Sequence, residues 1–295
     1  MDKNISYRVL NIGLRLGLGA LFSTGVALAQ YQVPTNPTEA DMACSGIVTD
    51  QAVPGDSYVI SGEDSGYKTT FFSSDYIYIN HGRAEGVKVG DKFDVVRAVN
   101  EMVAADPWFK YQPMLSRAMG TRYADIGRLV VAHVDEHTST AQIEIACGDS
   151  LQRGDLVRPY VPRPAPQYHA MKLDLFAAPS GKKMAMVVSG KEYAVLNGAG
   201  GIIYVNLGSA QGVRVGDYFR VFRYQGTHSD TLYQVRNMAY KAYGFGSTPV
   251  AYEWDNLPRQ VLGEGIVLRL GPNSSTVMLT AVREEIFAGD YVEVE

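Results

Sequence analysis

The sequence repeats itself. Residues 76–97 read YIYINHGRAEGVKVGDKFDVVR, and residues 202–223, displaced by 126 positions, read IIYVNLGSAQGVRVGDYFRVFR. Thirteen of the 22 positions are identical, among them Asn80/Asn206, Gly82/Gly208, Gly86/Gly212, Gly90/Gly216, Asp91/Asp217, Phe93/Phe219 and Arg97/Arg223. A match of this length within one chain implies a structural unit used twice, which constrains the fold before any propensity is weighed. What recurs is turn residues and alternating apolar positions, so the repeat encodes architecture and says little about chemistry.

The correspondence runs beyond the glycine block. Ser139-Thr140 matches Ser275-Thr276, Gly154-Asp155 matches Gly289-Asp290, and Val59-Ile60-Ser61-Gly62 precedes the first block as Val187-Val188-Ser189-Gly190 precedes the second. Phe93, Val95 and Arg97 alternate with Lys92, Asp94 and Val96, and Ala141, Ile143 and Ile145 keep the same period of two. Short alternating runs between glycine turns predict an all-β chain of two tandem small β-barrel modules. The modules are expected at 57–158 and 171–295. Between them PYVPRPAP, inside a linker at 159–170, is dense in proline, which favours a semi-rigid extended spacer.

Each module carries an aromatic-rich insertion between its paired strands. The first, between Arg97 and Gly127, holds Trp108, Phe109, Tyr111 and Tyr123. The second, between Arg223 and Gly263, is longer and holds Tyr233, Tyr240, Tyr243, Phe245, Tyr252 and Trp254. Ser229-Asp230 there predicts the cap of a helix running to about Tyr243.

The first 29 residues have the form of an export signal: Lys3, Arg8 and Arg15 lead an apolar run, and Ala27-Leu28-Ala29 gives a small-x-small cleavage site. Residues 30–56 follow as an N-terminal leader segment, expected to be irregular from Gln30 to Ala40. Loss of the signal shifts the formal net charge from −4 to −6, which argues against nucleic acid as a partner. No later segment is apolar enough for a transmembrane helix. In an exported chain the two cysteines, Cys44 and Cys147, predict a disulfide, with two separate buried thiols as the alternative.

At the pattern Y[IV]N-x-G-x-A-x-GV-x-VGD-x-F-x-V-x-R, followed by a strand pair ending in GD-x-V, the chain resembles the C-terminal domain of the flagellar assembly protein T. It is equally similar to the C-terminal region of exported bacterial envelope proteins that carry LysM segments. The resemblance spans about Ser57 to Pro159 and about Met184 to Glu295. It implies a small β-barrel domain of the bacterial envelope without a known catalytic role.

Chemistry-bearing motifs are sparse. The GV-x-VGD glycines precede strands, whereas a phosphate cradle needs a glycine loop that opens a helix. His133 and His137 flank a hairpin tip without a third ligand nearby in sequence, so no metal is expected. No nucleophile motif with a supporting context occurs, and no cofactor is expected. The reading is therefore a non-enzymatic, periplasmic or secreted envelope component, peripheral to the outer membrane at most. Its protein partner would meet Trp108, Phe109, Tyr111, Tyr233, Tyr240, Tyr243, Phe245, Tyr252 and Trp254, since Tyr and Trp give large contact area at low entropy cost. A peptidoglycan- or glycan-binding module is the alternative, and a hydrolase with a cleft between the modules is the third.

Overall fold

The strands follow the glycine punctuation. The computed structural model describes residues 36–99, 111–170, 173–194, 196–224 and 258–295. Helix α1 (Glu39–Ala43) and strand β1 (Ile47–Thr49) come first. The first module then contributes β2 (Val59–Gly62), β3 (Thr70–Phe71), β4 (Tyr76–Ile79), β5 (Lys92–Val99), α2 (Gln112–Met119), β6 (Thr121–Val134), β7 (Ser139–Ala146), β8 (Leu151–Gln152) and β9 (Leu156–Pro159). The second contributes β10 (Met184–Gly190), β11 (Ile202–Val205), β12 (Tyr218–Arg223), β13 (Gln260–Leu270), β14 (Ser275–Val282) and β15 (Tyr291–Val294).

The two sheets are laid out in the same order. Strands β10-β11-β14-β13-β12-β15 form a closed antiparallel barrel. The first module runs β2-β4-β7-β6-β5-β9, with β1 added on β6. Its ends meet at a single bridge, Tyr58 with Leu156, where Val157 N–H donates to Ser57 O at 2.9 Å and Val59 N–H to Asp155 O at 2.9 Å. The all-β expectation thus holds, and α2 makes the first insertion partly helical. The helix expected from Ser229 lies outside the described residues, as does the export signal.

The repeated residues hold the backbone in both copies. Asn80 Oδ1 accepts from Tyr58 N–H and Asn206 Oδ1 from Met186 N–H, both at 2.7 Å. Asp91 and Asp217 accept from the amides of Lys88 and Arg214, both at 2.8 Å, closing turns in which Gly90 and Gly216 take φ +90°. An L side chain resists that conformation. Arg97 grips Asp155 through Nε and Nη2 at 2.7 and 2.8 Å, and Arg223 grips Asp290 in the same fork at 2.6 and 2.7 Å. A buried carboxylate needs such a bidentate donor to offset its lost hydration.

Each barrel is filled from its own strands. Val59, Ile77, Phe93, Val95 and Leu129 pack the first, and Val187, Ile203, Phe219, Val221 and Leu279 the second. A third cluster lies between the modules: Met42, Val48 and Met119 from the first half meet Val188, Tyr204, Ile266 and Met278. This explains why β14 is buried along five consecutive residues (STVML) while its counterpart β7 alternates. One face of β14 fills its own barrel and the other is covered by the first half of the chain. Each large side chain so removed from water contributes about 1.5–3 kcal/mol before ordering costs.

Two expectations are refined here. Residues 36–56, expected to be irregular as far as Ala40, are helical from Glu39 and act as a wedge. Its Thr38 caps α1, and its β1 extends β6 through Ile47–Tyr123 and Thr49–Thr121. On its other side Tyr204 Oη donates to Ser45 O at 3.1 Å, Thr276 Oγ1 donates to Gly46 O at 3.1 Å, and the Ser274 hydroxyl donates to Val48 O. The proline-rich linker is packed down, since Arg163 Nη2 donates to Met42 O at 3.0 Å and Ala165 and Tyr168 join the inter-module cluster. A proline run lacks ladder donors, but it still offers apolar surface and carbonyls to neighbours.

Candidate functional site

The predicted site residues part company in the structure. Cys44 and Cys147 are joined as a disulfide across 103 residues, tying the wedge to the end of β7. Tyr111 stands at the start of α2, 39 % exposed. Trp108, Phe109, Tyr233, Tyr240, Tyr243, Phe245, Tyr252 and Trp254 lie outside the described residues.

Helix α2 turns part of the first insertion inward. Pro113 in its first turn pre-sets the helix, and Gly120 ends it. The helix lays Leu115 and Met119 on the inter-module cluster, and Gln112 Nε2 donates to Val188 O of β10 at 2.7 Å. This stretch therefore clamps the second barrel.

The second insertion leaves from an aromatic stem. Strands β12 and β13 pair as far as Arg223–Gln260, so residues 224–259 depart and return at neighbouring points of the barrel rim. Phe222, Tyr224 and Tyr291 stack and abut with ring centroids 4.9–5.8 Å apart. The Arg259 guanidinium lies 4.5 Å over the Phe222 ring and pairs with Glu293 at 2.6 Å. Both ends of the connection are thereby fixed.

Charged side chains gather in two places, one buried and one part-exposed, that spacing along the chain does not reveal. The first is the seam between wedge and modules. Asp125 Oδ2 accepts from Gly46 N–H at 2.7 Å and from Arg269 Nη1 at 2.6 Å, joining wedge, first module and second module at one atom. Arg158 stands 3.6–3.7 Å from both Asp125 and Asp94. Arg128 gives Nη1 to Glu39 at 2.7 Å, faces Asp94 at 3.6 Å and lies under the Tyr160 ring at 4.0 Å. Burial raises the Asp94 carboxyl above its ordinary range, with Arg158 pulling it back. Burial first, and then the like charge of Arg269, lower the Arg163 guanidinium to about 10.

The second place is the matching region of the other barrel. His169 Nε2 meets Glu264 Oε1 at 3.3 Å, and Glu295 stands close enough that one ligand atom from each falls within 4.8 Å of the others. His169 also stacks on Tyr218 with centroids 3.6 Å apart. Burial raises the Glu264 carboxyl, and His169 opposes that rise. Arg220 pairs with Glu295 at 2.8 Å and Glu293 at 3.1 Å, so arginine already offsets much of this negative charge. At the hairpin tip His133 and His137 pair with Asp135 and Glu85 at 3.3 and 3.2 Å and stay apart from this group.

No protein-family model matches the chain, and no curated protein matches it.

Proposed function

We propose that this chain is an exported, non-catalytic component of the bacterial cell envelope that presents residues 224–259 to a protein partner. The observation that carries the reading is the stem. Two strands paired to Arg223–Gln260 need only a turn of a few residues, yet the chain spends a long, aromatic-rich connection there, on an anchored base. Long connections held by a rigid scaffold are where binding residues concentrate. The disulfide fits an oxidising compartment such as the periplasm. Among the described residues no helix is long and apolar enough to cross a membrane.

The test removes residues 227–256 and joins the stem with a short Gly-Asn turn. In vivo crosslinking is expected to lose a specific envelope adduct, while the melting temperature stays within a few degrees of wild type. An unchanged crosslink pattern in a folded deletion variant sinks the reading. Co-sedimentation of the intact chain with peptidoglycan, abolished by Trp254→Ala, would favour the glycan alternative instead.

A further inference from the structure

A cavity of about 300 Å³ opens between the wedge, the linker and the first barrel. Its walls set two arginines, Arg128 and Arg163, against the apolar surfaces of Pro37, Met42 and Ala165. Arg128 is only 3 % exposed, and its buried Nε has no hydrogen-bond partner. Asp94, its nearest carboxylate on that side, is 3.6 Å away and shared with Arg158. Arg163 spends Nη2 on a carbonyl, Met42 O, and forms no ion pair among the described residues. The seam thus holds four guanidinium groups, on Arg128, Arg158, Arg163 and Arg269. Against them stand the buried Asp94 and Asp125 and the largely exposed Glu39. A buried cation without a matching anion costs free energy that a bound anion recovers.

The chain itself shows which anion suits the pocket. The Glu39 carboxylate reaches in from α1 and accepts from Arg128 Nη1 at 2.7 Å, although its side chain is 72 % exposed. A planar guanidinium donates to a carboxylate in matched geometry. The apolar wall beside it suits a small aliphatic group carried by the same ligand.

We infer that this cavity is a carboxylate-binding site, in which the Glu39 side chain holds the place that a ligand carboxylate takes on Arg128 while Arg163 supplies the second cation. The ligand is a small aliphatic acid or the free C-terminus of a peptide, and the two sources share this chemistry. The site is remote in sequence from residues 224–259 and stands whether or not those residues meet a partner.

Isothermal titration of the full mature chain with acetyl-Ala-Ala, its C-terminal amide and acetate tests the assignment. The free acid is expected to bind at one site, and the amide at least tenfold more weakly. Arg163→Met should weaken the acid at least tenfold. Glu39→Gln should tighten it several-fold by removing the internal competitor, with melting measured beside wild type. Acetate binding as tightly as the peptide acid would mark a small acid as the source, and preference for the peptide acid would mark a C-terminus; both support the site. The inference fails if acid and amide bind alike or neither binds. It fails too if Glu39→Gln, with wild-type melting, leaves the affinity of the acid unchanged.

Discussion

The two barrels place charge at the same three cross-strand positions and give it opposite sign. In the first module Asp94 on β5 lies opposite Arg128 on β6 and Arg158 on β9. In the second, Arg220 on β12 lies opposite Glu264 on β13 and Glu293 on β15. The barrel therefore requires compensation across these strands and is indifferent to which strand carries which sign. What differs is the cover each triad recruits. The net positive one is met by the Glu39 carboxylate, the net negative one by His169 and Arg259. Sign inversion also separates two carboxylates within one triad: Glu264 is raised by burial. In Glu293 burial also pushes upward, yet the hydrogen bonds from Arg259 and Ser180 N–H prevail and hold it below its ordinary range.

The sharpest asymmetry is the disulfide, which staples the wedge to the first module and has Arg283 in place of Cys147 in the second. Closing a loop of 103 residues stabilises by about 4–5 kcal/mol in the chain-entropy model. The Cys44→Ala/Cys147→Ala variant should lose about that much in urea unfolding, with amide exchange rising most in residues 38–49. Uniform loosening of both barrels would show that the wedge does not depend on the bond.

The Arg–Asp forks provide a smaller contrast. Asp290 is fully buried and Arg223 nearly so, whereas about a third of Arg97 meets solvent. Arg223→Met should cost about 3–5 kcal/mol because it strands a buried carboxylate. Arg97→Met should cost about 1–2 kcal/mol, since water can replace part of the lost contact. Equal losses in chemical denaturation would mean that exposure of the arginine is irrelevant to these pairs.

The smallest effect is one of pH. Because Glu264 titrates higher folded than unfolded, its proton favours the native state. That stabilisation is complete below the unfolded value of about 4.3 and fades as pH rises through the folded value. In a His169→Asn background, which removes the neighbouring imidazole, Glu264→Gln should flatten the fall of stability as pH rises above that unfolded value. Parallel curves with and without Glu264→Gln would remove burial of this carboxyl as the cause.

Much of the architecture was legible in the sequence because it is local. Gly90 and Gly216 at φ +90°, the Asp91 and Asp217 turns and the alternation of Phe93 and Val95 act within a few residues, so spacing reveals them. The candidate sites were hidden because their members are distant. Arg128 and Arg163 share a cavity, and His169 and Glu264 a contact, only after the linker folds back. The alternation along β14 was legible too, but the cover over its second face was not, since it comes from residues more than 200 positions away.

By itself the sequence determined two similar barrels, their strand rhythm and a pair of cysteines suited to a disulfide. Those features rest on φ preferences and a period of two, which each residue carries wherever it lies. The tertiary structure alone decided that the barrels lock together through the wedge, α2 and the linker, and where buried charge is left over. That outcome depends on distance and dielectric, which no stretch of chain contains until it has packed against another.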